Sequence, residues 1–202
     1  KSQHFQPYPF RFSRFKAAFE QNLKDRKLRI LFAEGFILMG CLVTVFNYIS
    51  YHLLEAPFQL SQSWIGLISI AYLAGIYSSS KAAQWSFKYG RAKVLPLMLL
   101  MMMAGLLITL IPALWAILLG LIIFAFAFFA AHSTASSWVS VQAIQYRAVA
   151  ASLYLFCYYI GSSLLGSSGG LIWENFGWIG INLSVVLVLA FGLILSIRLK
   201  AL

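Results

Sequence analysis

The chain has 202 residues, of which 61% are hydrophobic and 10% charged, with a formal net charge of +10. Soluble domains are about 45–50% apolar and about 25% charged, and a single core of this size could not bury so much apolar surface. The excess of basic residues does not indicate nucleic-acid binding, because these residues lie between apolar segments and form no patch of their own. The composition therefore predicts an integral membrane protein.

The first 29 residues are polar and basic. Phe12, Phe15 and Phe19 recur at three- and four-residue steps among Lys and Arg, a pattern typical of an amphipathic helix at the inner membrane surface. A solvated linker with a few aromatic residues is the alternative. The chain begins at Lys1 without a charged-then-apolar leader, so we expect sequence to precede it.

Six apolar segments follow, and a helix needs about 20 apolar residues to cross the hydrocarbon core. Val94 to Tyr146 contains no charged side chain and is long enough for two crossings, with Pro112 offering the turn between them. The predicted fold class is all-α, a bundle of six transmembrane helices. The spans are residues 30–54, 64–83, 94–111, 114–138, 148–172 and 177–197.

The basic residues predict the orientation of this bundle. On a six-span path, all fifteen Lys and Arg fall in or beside the segments of one side, whereas the opposite loops hold only Glu55 and Glu174. Because cytoplasmic loops retain Lys and Arg, both ends are predicted to be cytoplasmic. Cys41 and Cys157 lie inside apolar runs, so we expect no disulfide, metal or cofactor site.

The first span has a polar face that should contact protein or a water-filled cavity. Glu34 is the only carboxylate within a span and is therefore the candidate for proton exchange. An ion pair with Arg29 or Lys27 at the membrane surface is the alternative for this residue. The polar residues at helical offsets are Glu34, Cys41, Thr44, Tyr48 and Tyr51, with Asn47 beside them.

The fourth and fifth spans carry further candidates. His132, with Ser136 one turn later, is either a neutral imidazole bonded to a hydroxyl or a titrating group. On the fifth span, Tyr154 and Tyr158 need polar partners if they are buried. They continue into a stripe of small residues that permits close helix packing, namely Ser162, Gly166 and Gly170.

The hypothesis that the protein is an enzyme depends on the four residues from Gly166 to Gly169. Its Gly-x-Ser-Gly form resembles the motif of the rhomboid intramembrane proteases, in which a histidine on a later helix is the base. Here no histidine follows Ser168, so helix packing explains the string better. All three histidines precede it: His4, His52 and His132.

The loop after the second span, residues 83–93, resembles the short inner loop of the major facilitator superfamily, whose usual form is Gly-x-x-x-Asp-Arg-x-Gly-Arg-Arg. The loop departs from that form at Ala83, in place of the first glycine, and at Phe87, in place of the aspartate. The positions that match the motif, or replace its basic residues conservatively, are Lys88, Gly90, Arg91 and Lys93.

A second match covers residues 159–178, in which a run of glycines is followed by Gly-Trp before the last span. This cadence resembles helix eleven of twelve-helix drug/proton and sugar-efflux antiporters, and residues 1–29 resemble the loop that joins their two halves. The nearest likeness is to bacterial inner-membrane carriers of the arabinose-efflux type.

The resemblance implies that the chain is the carboxy-terminal half, helices seven to twelve, of a secondary transporter whose amino-terminal half is its partner. Such carriers enclose a central site between two six-helix halves. The expected function is proton-coupled efflux of a small organic molecule, such as a drug or sugar, across the bacterial inner membrane. A non-transporting membrane scaffold or binding subunit is the alternative. The residues expected to line the substrate cavity are Asn47, Tyr48, Tyr51, His132, Ser136, Tyr154 and Tyr158.

Overall fold

The computed structural model describes residues 12–201, and this part of the chain consists of helices joined by short loops and turns, with no strand. The predicted all-α fold class is therefore confirmed; the beginning of the basic segment, residues 1–11, lies outside the described residues. A 3₁₀ turn at Leu67–Ile70 connects the third α-helix to the fourth. The helices are α1 (Phe12–Lys24), α2 (Arg26–Leu54), α3 (Gln62–Gly66), α4 (Ala71–Tyr89), α5 (Arg91–Ile108), α6 (Leu114–Gln142) and α7 (Arg147–Ala201).

Four helices of the described region are long and apolar enough to cross a membrane: α2, α5, α6 and α7. The helix α4 is not among them, although it covers most of the predicted second span. Three consecutive serines, Lys81 and Gln84 lower its hydropathy. Its length is nevertheless 19 residues, close to what a crossing requires.

The helix α7 contains the fifth and sixth predicted spans and changes direction at Gly177. This residue has φ 55° and ψ −149°, a backbone conformation that only glycine adopts without strain. The sequence predicted a loop over residues 173–176, but the helix continues through them. The reversal is therefore made at a single glycine.

The two arms of α7 run antiparallel to each other, as their contacts with α2 show. The arm before Gly177 runs parallel to α2, with Tyr154 against Gly35, Gly161 against Phe36 and Gly169 against Tyr48. The arm after Gly177 runs the opposite way, with Trp178 stacked on His52 and Gly192 beside Glu34.

The helix α6 packs against α4 and α5 and has an almost wholly buried face. Backbones approach closely where side chains are small: a methyl group at Gly105 would lie 2.8 Å from the carbonyl oxygen of Gly120. On the other side, the hydroxyl of Ser78 donates a 2.7 Å hydrogen bond to the carbonyl of Phe126. These contacts hold α4, α5 and α6 together as one layer.

The predicted second span differs from the observed helices at both ends. It begins with the short α3 and a 3₁₀ turn, and α4 continues six residues beyond the predicted end, to Tyr89. The extension packs on α6, since the hydroxyls of Ser86 and Thr134 lie 3.3 Å apart. Gly90, with φ 85°, then ends the helix in the manner usual for glycine.

The amphipathic segment is helical over α1, and Phe12 and Phe19 are exposed while Ala18 is buried. A single residue, Asp25, separates α1 from α2. Its carboxylate accepts hydrogen bonds from the backbone of Lys27 at 2.8 Å and from the side chain of Gln142 at 2.8 Å. The junction is thereby tied to the end of α6.

Candidate functional site

Three of the predicted cavity residues meet in one cluster between α6 and α7. The hydroxyl of Tyr154 lies 3.0 Å from Nδ1 of His132, and the rings of His132 and Tyr158 are 4.7 Å apart. Tyr154 is only 2% exposed, whereas the other two side chains are half-buried. We call His132, Tyr154 and Tyr158 the inner cluster.

The inner cluster is positioned by its neighbours on α2 and α6. Gly35 leaves room for the ring of Tyr154, since a methyl group there would lie 2.8 Å from Cε2 of that ring. Phe128 stacks on the imidazole of His132 at 6.0 Å with 9° between the ring planes. With Nδ1 paired to a phenol and the ring only half-buried, the imidazole presents Nε2 as a hydrogen-bonding group for a polar ligand.

A second group lies toward the end of α2. Tyr48 donates a 3.1 Å hydrogen bond to the carbonyl of Gly166, and its ring is 6.1 Å from Trp173 and 6.0 Å from Tyr51. Gly169 makes space for the ring of Tyr48. Tyr48, Tyr51 and Trp173 form what we call the outer cluster, and Tyr51 is its exposed member, at 53%.

The predicted cavity residues thus form two clusters and not one site. Gly35 and Tyr48 mark the two levels on α2 and are thirteen residues apart, which corresponds to about 20 Å along a helix. Asn47 is exposed beside the outer cluster. Ser136 is half-buried one turn from His132, and its hydroxyl donates to the carbonyl of Ser133 at 3.2 Å.

A further group of aromatic rings joins α2, α4 and α6. Tyr72 of α4 lies 4.6 Å from the ring of Phe46 and 5.7 Å from that of Phe129. Tyr72 was not among the predicted residues. In the sequence, Tyr72 could have been recognised only as an isolated tyrosine near the start of the least hydrophobic predicted span.

Glu34 is fully buried, and neither carboxylate oxygen has a hydrogen-bond partner among the described residues. The alternative ion pair with Arg29 or Lys27 is not formed: among the side chains that the structure describes, the one salt bridge joins Lys16 and Glu20. The carboxylate faces the second arm of α7, where a methyl group at Gly192 would lie 3.3 Å from Oε2. It forms no hydrogen bond with a residue of either cluster.

The matching residues of the inner-loop motif lie at the junction of α4 and α5. The guanidinium Nε of Arg91 donates to the hydroxyl of Ser137 on α6 at 3.5 Å. The ammonium of Lys88 lies 5.0 Å above the ring of Tyr89, and Lys93 is exposed in the first turn of α5. Gly90 provides the turn between the two helices, described above.

The predicted packing stripe lies near α2, but the tightest contacts are one residue earlier in the chain. Gly166 faces Val43, at 2.9 Å for an added methyl group, and Gly170 faces the hydroxyl of Tyr48 at 3.5 Å. Ser162 is half-buried. The closest contacts are those of Gly161 with the backbone of Phe36 and of Gly169 with the ring of Tyr48. The hydroxyl of Ser168, from the protease-like string, donates to Leu165 of its own helix at 3.1 Å.

A buried polar contact between α5 and the second arm of α7 was also not predicted. Trp178 donates from its indole to the carbonyl of Thr109 at 3.3 Å, and the hydroxyl of Thr109 lies 3.5 Å from Oδ1 of Asn182. All three side chains are buried. Their pairing stabilises the end of the bundle where the chain leaves α5 and re-enters after Gly177.

An all-helical bundle with long apolar helices and a polar, aromatic interior face defines a polytopic membrane protein. No family model matches the chain. It is 47% identical over 199 residues, 98% of its length, to an uncharacterized transporter of Buchnera aphidicola subsp. Schizaphis graminum. It is 45% identical to the inner membrane transport protein YnfM of Escherichia coli and 40% identical to the uncharacterized MFS-type transporter YybF of Bacillus subtilis.

These relatives confirm the resemblance: along nearly its whole length, the chain is similar to bacterial proteins named as transporters, and one of them is named as an MFS-type transporter. The chain spans about half the length of the curated relatives it matches, 48% in each of these three.

Proposed function

We propose that the chain is the carboxy-terminal half of a major facilitator carrier that moves a small organic molecule, such as a drug or sugar, out of the cell in exchange for protons. Its partner is an amino-terminal six-helix half, and the two halves enclose the substrate path and open it alternately to either side. The homology to named transporters supports the transporter class, and the interior side chains support a polar substrate.

In this proposal the bundle has six spans, with α4 and each arm of α7 counted as crossings, and both chain ends are cytoplasmic. The reversal at Gly177 and the near-spanning length of α4 support that count. The sidedness is supported by Lys and Arg, which gather at one side of the path. The localisation that follows is the bacterial inner membrane.

The inner cluster is the observation that carries the proposal of a substrate site. A half-buried imidazole, held at Nδ1 by a buried phenol and flanked by a second tyrosine, is a preorganised polar group on an otherwise apolar wall. We assign the contact with substrate to His132 and Tyr158, with Tyr154 positioning the imidazole. The outer cluster, with Asn47, lies farther along the same path.

The test is substrate-dependent proton flux through the complete gene product in vesicles that contain a pH-sensitive dye. A panel of sugars and cationic and neutral drugs is added, and a coupled substrate releases or takes up protons. With that substrate, His132→Ala should lower the flux by about tenfold or more, because each lost polar contact in such a site costs about 1–3 kcal/mol. Lys200→Gln, a change at the exposed end of α7, is the matched control.

Two outcomes would contradict the proposal. If no member of the panel moves protons while the protein is folded and inserted, the exchange mechanism is wrong. If His132→Ala and Tyr158→Ala both leave the flux unchanged, the site assignment is wrong even though transport occurs.

A further inference from the structure

A groove of about 270 Å³ opens where the junction of α4 and α5 lies against α6. Trp85 and Tyr89 of α4 form one wall, and Leu97 and Met98 of α5 form the other. Lys93, in the first turn of α5, is the one charged side chain among those that line it. The groove is therefore apolar along its length and cationic at the end where the two helices join.

The cations around this groove have no carboxylate to neutralise them. The sequence contains no Asp or Glu between residues 56 and 173, and within the described part of the chain neither Lys88 nor Lys93 forms a salt bridge. At the position where the related inner loop has an aspartate, this chain has Phe87, whose side chain is 95% exposed. The positive charges of Lys88 and Lys93 are therefore available to bind an anion from outside the chain.

We propose that the groove binds an anionic phospholipid of the inner leaflet. Lys93 and Lys88 contact its phosphate, and one acyl chain lies along Leu97 and Met98. Basic pockets between membrane helices on the cytoplasmic side attract anionic headgroups, and lysine stems reach such headgroups while lying on apolar surface. Trp85 and Tyr89 have the chemistry of the aromatic belt at this depth.

Phe87 gives the site a feature that a loop aspartate would not. A carboxylate in this loop would neutralise one lysine and repel a phosphate, whereas an exposed phenyl ring next to Lys88 can enter the boundary between headgroups and acyl chains. With Phe87 at the position of the aspartate, the loop has no carboxylate to neutralise its lysines. A lipid phosphate can neutralise them instead.

The test is native mass spectrometry of the complete gene product, titrated with phosphatidylglycerol or with phosphatidylcholine of the same acyl chains. Wild-type protein should bind phosphatidylglycerol preferentially. The double variant Lys88→Gln and Lys93→Gln should bind it more weakly, by about fivefold for each lysine removed. Lys200→Gln removes one exposed cation elsewhere and should leave the affinity unchanged.

A second variant separates the headgroup contact from the acyl contact and does not depend on charge. Leu97→Trp fills the groove, and it should weaken the binding of phosphatidylglycerol even though both lysines are present. Each variant is first compared with wild type by gel filtration, and only those that elute as wild type are titrated. If the double variant fails this step, it is replaced by Lys93→Gln alone, and if Leu97→Trp fails, it is replaced by the less bulky Leu97→Phe.

Three results would overturn the proposal. Equal binding of phosphatidylglycerol and phosphatidylcholine would mean that the groove binds acyl chains without distinguishing the charge of the headgroup. An equal loss for Lys200→Gln and the double variant would mean a diffuse surface effect. The absence of any bound lipid in wild type would mean that the groove is covered by another part of the complete protein.

Discussion

At the residue scale, the two titratable side chains proposed for function have opposite surroundings. His132 is half-buried and paired with Tyr154 at 3.0 Å, whereas Glu34 is fully buried and unpaired among the described residues. An ionised carboxylate that is buried without a partner is energetically unfavourable. The carboxyl of Glu34 therefore either remains neutral or gains a partner when the helices around it move, and both behaviours suit a group that exchanges protons.

Glu34→Gln tests this role, because glutamine has nearly the same shape and cannot titrate. We expect the substrate-driven proton flux of this variant to vary less with pH than that of the wild type, over a series of vesicle preparations from pH 5 to pH 8. Glu174→Gln, on an exposed side chain, is the control and should follow the wild-type curve. A Glu34→Gln curve that coincides with the wild-type curve would remove this residue from the proton path.

The individual candidates were predictable, but their contacts were not. Tyr154 and His132 were each recognised as polar side chains within apolar spans, yet their hydrogen bond joins residues on different helices, which no helical periodicity can indicate. The orphaned state of Glu34 depends equally on tertiary packing, because its position one turn inside the span allowed an ion pair. Tyr72 was missed for the same reason, since its role comes only from Phe46 and Phe129 on two other helices.

At the element scale, α2 and the first arm of α7 are held together by backbone contact. A methyl group at Gly161 would collide with the carbonyl of Phe36, and one at Gly40 would collide with the side chain of Leu165. Close approach of this kind is the usual basis of helix association in membranes, where the bilayer provides little hydrophobic drive. This contact positions Tyr154 and Tyr48, and hence both clusters.

Gly161→Ala should destabilise the bundle by about 1–3 kcal/mol, because the backbones must move apart to admit the methyl group. Thermal unfolding of the purified complete gene product in detergent measures the effect as a lower midpoint. Gly66→Ala is the matched control, since a methyl group there meets nothing within 4 Å and alanine favours helix. If the two variants unfold at the same temperature, the close contact of α2 and α7 is not part of the fold in the membrane.

Hydropathy located the long helices well and the less apolar one poorly. The predicted 30–54 and 114–138 lie within α2 and α6, because their apolar runs are nearly unbroken. The second span was predicted to stop at residue 83 because Lys81 interrupts its apolar run, but packing on α6 carries the helix to Tyr89. The predicted loop over residues 173–176 ends next to the observed reversal at Gly177, but its own residues are helical. Their helical state depends on contacts such as that of Trp173 with Tyr48, which the sequence does not reveal.

At the scale of the whole molecule, the described helices present large apolar side chains outward on many faces, among them Leu73, Ile76, Phe156 and Phe191. Lipid covers such faces in a membrane protein, and in our proposal a second six-helix half covers the face that carries His132 and Tyr51. The 48% coverage of each relative fits that arrangement, in which the substrate path lies between two halves of similar length.

The most direct test of this central claim is the apparent mass of the native protein in its own membranes, detected through a tag placed after Leu202. The proposal predicts a single polypeptide of about twice the 22.6 kDa of this chain, with the second half contributing the opposite wall of the substrate path. A polypeptide near 22.6 kDa would contradict the claim that this bundle is one half of a single-chain carrier.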